Sequence, residues 1–164
     1  MGENEHIRIL APMSEIDREW LKEQWVQWGD ETMITKGKQH HIQGMDAFIA
    51  WDDDVQVGEA AYRLDIYDCE LMSMNATVQG IGVGSKLLST VEQMVKQSGR
   101  NRIWLITSND NVDALRFFQR CGYRITAVYP GSIDEARKML KPTIPKVGYY
   151  DIPIRDEIEL EKIL

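Results

Sequence analysis

One stretch limits the architecture more than any other: Gln79-Gly80-Ile81-Gly82-Val83-Gly84, set between a strand-like run and a helix-like one. Glycines at 80, 82 and 84 let the backbone turn tightly with no side chain in the way. The amides of such a loop and the positive end of the following helix converge on an anion, and a phosphate group fits that environment. The spacing is not that of a Walker A loop, since no GxxxxGK followed by Ser or Thr is present. Nor is it GxGxxG, because position 85 is Ser. By its own chemistry the loop therefore implies either an anion site at a helix N-terminus or a tight turn that packs helix on strand.

The flanking sequence predicts how the loop is mounted. Ala47 to Trp51, Val55 to Ile66 and Cys69 to Asn75 are strand-like and are joined by the short turns Asp52-Asp53-Asp54 and Tyr67-Asp68, which predicts an antiparallel meander. After the loop, Leu87, Leu88, Val91, Met94 and Val95 recur at helical spacing, so Gly84 to Ser98 is expected as an amphipathic helix ended by Gly99. Arg102 to Thr107 reads as a buried strand, Asn111 to Cys121 as a second helix stopped by Gly122, and Tyr123 to Tyr129 as a strand. Upstream, Ile7 to Leu10 is a short strand. Ser14 and Asp17 resemble a capping box for a helix running to about Trp28 and stopping at Gly29, with Leu21, Trp25 and Trp28 on one face. Residues 30–44 show no clear periodicity and read as a loop or irregular segment. Its His40-His41 pair has no acidic or Cys partner spaced to complete a metal site, and solvated or structural histidines are expected. Beyond Pro130, Ile133 to Leu140 predicts a short helix, Tyr149 and Tyr150 fall in a loop, and Asp156 to Leu160 predicts a last strand. The whole reads as one α+β domain over residues 1–164.

Composition excludes several function classes. An apolar fraction of 43% with 27% charged residues is that of a globular domain, and no apolar run approaches the roughly 18 residues of a membrane span. The net charge of -7 argues against an extended nucleic-acid surface, which would be basic. Residues Met1 to Glu5 carry neither a basic nor an apolar region of a secretory signal, and Cys69 and Cys121 belong to no CxxC or Cys/His cluster. Two free thiols in a reducing, cytoplasmic setting are expected. No metal, nucleic-acid or membrane partner is expected.

The loop and the second helix together resemble the GNAT superfamily of N-acetyltransferases. That family carries Q/R-x-x-G-x-G/A after a strand and at the opening of a helix, matched by Gln79, Gly82 and Gly84. Its second pattern, N-x-x-A-x-x-F-Y/F-x-x-x-G-F/Y, is matched by Asn111, Ala114, Phe117, Phe118, Gly122 and Tyr123. The two motifs lie in the family's order, and the resemblance covers roughly residues 47–129. It implies a central mixed, mostly antiparallel sheet with helices on both faces, and acyl-CoA lying in a V-shaped gap between the strand before the loop and the strand Arg102 to Ser108. It also implies that Gln79, Gly80, Ile81, Gly82, Val83, Gly84 and Ser85 hold the pyrophosphate through the loop and its amides. Met74 and Asn111 would meet the pantetheine arm, and Lys86 is either a phosphate contact or a solvated first-turn residue.

The implied reaction moves an acetyl group from acetyl-CoA to a primary amine of a small molecule or peptide by direct attack, and family members often dimerise. Asp68 and Glu70, which share strand parity, are the candidate general bases. The family's usual tyrosine acid is replaced by Phe118, which has no proton to give. Three outcomes follow: Tyr123, Tyr149 or Tyr150 substitutes; the thiolate leaves unaided; or the protein binds acyl-CoA without efficient transfer, as a regulatory or sensor module.

Overall fold

The computed structural model describes residues 6–27, 30–77 and 82–164. Seven strands form one sheet in the order β1-β4-β5-β6-β7-β9-β8. They are β1 (Ile7–Leu10), β4 (Asp46–Asp52), β5 (Val55–Leu64), β6 (Cys69–Ala76), β7 (Arg102–Ser108), β8 (Arg124–Tyr129) and β9 (Glu157–Ile163). β4, β5 and β6 are the expected antiparallel meander. β6 and β7 run parallel, joined by the crossover helix α2 (Val83–Gln97), and β7 leads into α3 (Val112–Arg120). β9 inserts between β7 and β8, antiparallel to both.

Helices cover both faces. The helix α1 (Glu15–Val26) starts at Ser14, whose side chain accepts the Asp17 amide at 3.2 Å. The Asp17 carboxylate reciprocates one residue earlier than in a capping box, at the Met13 amide. Leu21 and Trp25, one turn apart, are fully buried against Ile49, Ala61 and Met72 on one face of the sheet. Trp28 and Gly29 lie outside the described residues. On the opposite face Leu87, Leu88, Val91 and Val95 of α2 and Phe118 of α3 join the larger core with Val57, Leu71 and Leu105. The fourth helix, α4 (Ser132–Met139), precedes the C-terminal loop. Among the described residues no helix is long and apolar enough to cross a membrane.

Residues 30–44 correct the expectation of an irregular segment. They form a hairpin of β2 (Thr32–Thr35) and β3 (Lys38–His41). Its two-residue turn, Lys36-Gly37, has φ of 52° and 78°, the doubly positive geometry of a tight hairpin turn. A Lys-Gly pair signals that turn less strongly than Asn-Gly, and the strands are too short and polar to show a period. Adjacent residues of a strand point to opposite faces. His40 is accordingly buried and shares a 3.0 Å hydrogen bond with Thr35, while His41 is exposed.

The backbone is tightest where β5 passes under the start of α2. A Cβ on Gly58 would sit 2.8 Å from both the Asn75 carbonyl oxygen and the Val83 side chain. Gly58→Ala is expected to destabilise the fold by about 1–3 kcal/mol through overpacking, read as a lowered urea midpoint at unchanged slope.

Candidate active site

The site is made by two strands that part. The β6–β7 ladder has three rungs, Cys69–Ile103, Glu70–Trp104 and Leu71–Leu105. The pairing of β6 with β5 shifts at the same height: Tyr62 faces Leu71 and Ala61 faces Ser73, so Met72 is the extra residue of a bulge. A bulge bends its strand and raises the local twist. β6 then continues to Ala76 and β7 to Ser108 without pairing with each other, and a gap opens between their C-terminal halves. A cavity of about 530 Å³ lies at this gap. Its walls include Leu71 to Met74 of β6, Leu105 to Ser108 of β7, and Asn111, Ala114 and Phe118 at α3.

Both helices after the parallel strands begin on the open side. Gly82 is the N-cap of α2, with φ of 77°, and the first intrahelical bond runs from the Lys86 amide to the Gly82 carbonyl. Helix geometry places the amides of Val83, Gly84 and Ser85 ahead of that bond, at the positive end of the helix. The Val83 side chain is buried core, so only its backbone is available to a ligand. A Cβ on Gly84 would lie 3.6 Å from Phe117 and 3.8 Å from Met74, which puts this amide beside both. Lys86 donates to the Ile7 carbonyl oxygen, toward β1. Gln79, Gly80 and Ile81 lie outside the described residues. Asn111 caps α3, its Oδ1 accepting the Ala114 amide at 3.2 Å, and it lines the cavity.

The far side of the cavity is closed by the hairpin and the C-terminal loop. Met33, Ile34, Ile133, Ile144 and Val147 make this wall apolar. Buried Lys141 ties the two parts together through the Thr32 carbonyl oxygen at 2.6 Å and Asp30 at 3.3 Å. Asp110, at the end of β7, straps the loop down by accepting the Tyr149 amide at 3.0 Å. Gly148 is required there, because a Cβ would fall 2.0 Å from the Asp110 carboxylate.

The catalytic candidates read from the sequence separate in space. Tyr149 lines the cavity. Tyr150 points its hydroxyl at Asp113, 2.8 Å away, and that hydrogen bond raises its pKa. Tyr123 is buried against Phe118 and donates to Glu92 at 3.2 Å, on the α2 side of the sheet. Asp68 stands at the closed end of the gap, held by Arg102 at 2.9 Å and the Trp104 indole at 3.3 Å. Glu70 is buried and paired with Arg63 at 3.1 Å, and burial raises its pKa. Neither carboxylate is brought to the cavity wall. Burial pushes the Cys69 thiol up to about 12, which makes it inert as a nucleophile at neutral pH. Among the described residues no cluster of three or more His, Cys, Asp or Glu is placed to hold a metal.

The sequence reading missed a third carboxyl. Glu59 of β5 is fully buried, and its Oε2 accepts the Ser73 hydroxyl at 3.0 Å. Ser73 lines the cavity and in turn accepts the Trp25 indole N–H at 2.8 Å. Burial raises the Glu59 pKa to about 7. The signal was a lone acid in the otherwise apolar run Val57-Gly58-Glu59-Ala60-Ala61.

Comparison with known proteins accounts for this arrangement. The sequence model of the Acetyltransferase (GNAT) family matches residues 14–123. The chain belongs to the GNAT acetyltransferase family. The Bacillus subtilis protein YdhI, itself uncharacterised, is 36% identical over 158 residues, covering 95% of this chain and 98% of YdhI. Two solved GNAT-like folds are similar in structure at low identity. An IAA acetyltransferase from Bacillus cereus superposes with a TM-score of 0.72 at 20% identity, over 96% of this chain and 99% of that one. A GNAT family acetyltransferase from Elizabethkingia anophelis, solved with acetyl-CoA bound, gives 0.71 at 19%, over 98% and 99%. The GNAT fold of the present chain thus extends beyond the matched motifs to the hairpin and the C-terminal strands.

The raised pKa of Glu59 carries a stability consequence. As pH rises from the ordinary 4.5 toward about 7, the unfolded chain loses this proton before the folded one does. Native stability is therefore lost across that window, by up to about 3 kcal/mol, and levels off above it. Glu59→Gln removes the group that titrates. The melting-temperature difference, variant minus wild type, is expected to grow in the variant's favour from pH 5 to pH 8.

Proposed function

We propose that this GNAT protein is an N-acetyltransferase that moves an acetyl group from acetyl-CoA to a primary amine by direct attack. The observation that carries the reading is the parting of β6 from β7 beyond Leu71 and Leu105, directly ahead of two helix N-termini. In this reading the pyrophosphate lies on the amides of residues 79–85, Gln79 to Ser85, at the start of α2. The pantetheine arm runs along the edge of β6 near Met74, where its amides substitute for the missing strand partner. Asn111 meets the same arm, and the thioester reaches the cavity. The acetyl-CoA bound to the Elizabethkingia anophelis neighbour supports this choice of cosubstrate.

Holding amine and thioester together supplies proximity, and backbone N–H groups of β6 near Met74 stabilise the developing oxyanion. No covalent enzyme intermediate is needed. The acceptor enters from the hairpin and C-terminal-loop side, whose apolar wall suits an amine carried on an apolar body, on a small molecule or a peptide end. The leaving group is a thiolate, whose conjugate acid ionises near pH 8.5, so its departure makes a modest demand on an acid. Among the described residues Tyr149 is the tyrosine that lines the cavity.

A second reading, a non-catalytic acyl-CoA sensor, is favoured by one observation. Phe118 lines the cavity at the family's tyrosine position, packed edge-on against Phe117 at 5.2 Å and Tyr123 at 5.5 Å. Titration calorimetry is expected to show binding of acetyl-CoA but not of ATP or NAD. Thiol release from acetyl-CoA, followed with a panel of primary amines, separates the readings: release above the amine-free rate supports transfer, and tight binding with no release across the panel favours the sensor. Gly148→Ala, which displaces Asp110 and the loop it straps, is expected to raise the amine KM at least severalfold while leaving acetyl-CoA affinity nearly unchanged.

A further inference from the structure

We propose that Glu59, acting through the Ser73 hydroxyl, accepts the proton that an acceptor ammonium must lose before it attacks the thioester. This inference rests on the acetyltransferase reading. Its starting point is that Glu59 serves no evident structural purpose. It is fully buried in an interior strand and, among the described residues, forms no ion pair and has no hydrogen-bond partner for its Oε1. A buried carboxyl without a cation costs stability, and an apolar residue or Gln would fill the site more cheaply. Such groups collect where chemistry is done.

The surroundings of Glu59 lead outward along one path. Trp25 of α1 donates its indole N–H to Ser73 Oγ, and Ser73 donates its hydroxyl to Glu59 Oε2. The hydroxyl oxygen has two lone pairs and one hydrogen. Trp25 occupies one lone pair and Glu59 takes the hydrogen, so the second lone pair is the acceptor that Ser73 can offer on the cavity side. The indole also holds the rotor, since a hydroxyl turned toward Trp25 would set two donors against each other.

Each of the other charged groups nearby holds a partner of its own, while Glu70 Oε2 and Asp110 Oδ1, like Glu59 Oε1, have none among the described residues. On the packed elements, Asp17 of α1 caps its own helix and Glu70 of β6 pairs with Arg63. Along the cavity, Asp110 accepts the Tyr149 amide, Glu157 accepts the Lys36 amide and Lys141 binds the Thr32 carbonyl. Burial is the dominant influence on Glu59, with the Ser73 hydrogen bond opposing it.

The step balances. An N–H of the ammonium breaks as its proton passes to Ser73 Oγ, and the Ser73 O–H proton passes to Glu59 Oε2. The ammonium becomes a neutral amine and the carboxylate a carboxylic acid. The amine lone pair forms the N–C bond to the acetyl carbon and the C–S bond breaks. The thiolate takes one of the two protons left on the attacking nitrogen, leaving a secondary amide that keeps the other and the free CoA thiol. Glu59 returns its proton to solvent through Ser73 when product leaves.

The test uses the full chain with acetyl-CoA and, as acceptor probes, benzylamine, tyramine, spermidine and a peptide with a free N-terminus, each followed by thiol release from pH 5.5 to 9. Wild-type kcat/KM is expected to show a limb near pH 7. Glu59→Gln should lower kcat/KM about 100-fold or more and abolish that limb, with acetyl-CoA affinity by calorimetry unchanged within about twofold. Ser73→Ala should match it, and Ser73→Thr, which keeps the hydroxyl, should restore most of the rate. Carboxyl-carbon NMR gives a readout that needs no acceptor: one glutamate should titrate near 7 in the wild type and be missing from the Glu59→Gln spectrum. A Glu59→Gln enzyme with wild-type rate and limb, or a Glu59 that titrates at its ordinary value, overturns the proposal and leaves the acetyltransferase reading standing. A wild type that binds acetyl-CoA and acetylates none of the probes overturns both.

Discussion

Everything at the site depends on a ladder that ends early. β6 and β7 pair through only three rungs, and the bulge at Met72 turns β6 away directly after the third. Parallel strands elsewhere in a sheet are closed on both sides by neighbours. Here β6 keeps β5 on one side and loses β7 on the other, so backbone polar groups face a gap inside the molecule. Buried backbone groups demand partners, and an extended ligand bearing amides satisfies that demand. The same divergence aims α2 and α3 at the gap, since each begins where its strand ends.

The rest of the fold serves to hold that gap in shape. At its closed end Arg102 gathers Asp68, Glu159 and Glu161, at 2.9, 3.6 and 2.5 Å. These pairs are partly exposed, so each contributes modest energy; their effect is to keep the starts of β6 and β7 together with the C-terminal part of β9. At the open side Lys141 ties the hairpin to the C-terminal loop, and Asp110 straps that loop to the segment after β7. The catalytic carboxyls inferred from strand parity sit at the closed end because parity says which face a residue occupies, not how far along the gap it lies.

Much of the fold was legible because its signals are local. The meander, α2, β7 and α3 follow from periodicity and turn residues, and the two linked motifs pointed to GNAT. The hairpin at 32–41 was not legible, because its strands are four residues long, polar, and joined by Lys-Gly. Glu59 was not legible either. A single acid in an apolar strand reads as an edge or turn residue until the sheet shows that β5 is interior and that Ser73 and Trp25, 14 and 48 residues from their partners, close over it.

The sequence alone determined the family and the absence of a hydroxyl at Phe118, because these depend on residue types at fixed short spacings. Only the tertiary structure decided which acid is buried behind the cavity, bonded to a serine that lines it. That choice depends on the Met72 bulge, on the insertion of β9 between β7 and β8, and on a hydrogen-bond chain crossing from α1 through β6 to β5. Burial and long-range contact set the proton affinity of a carboxyl, and neither is a property of its sequence neighbours.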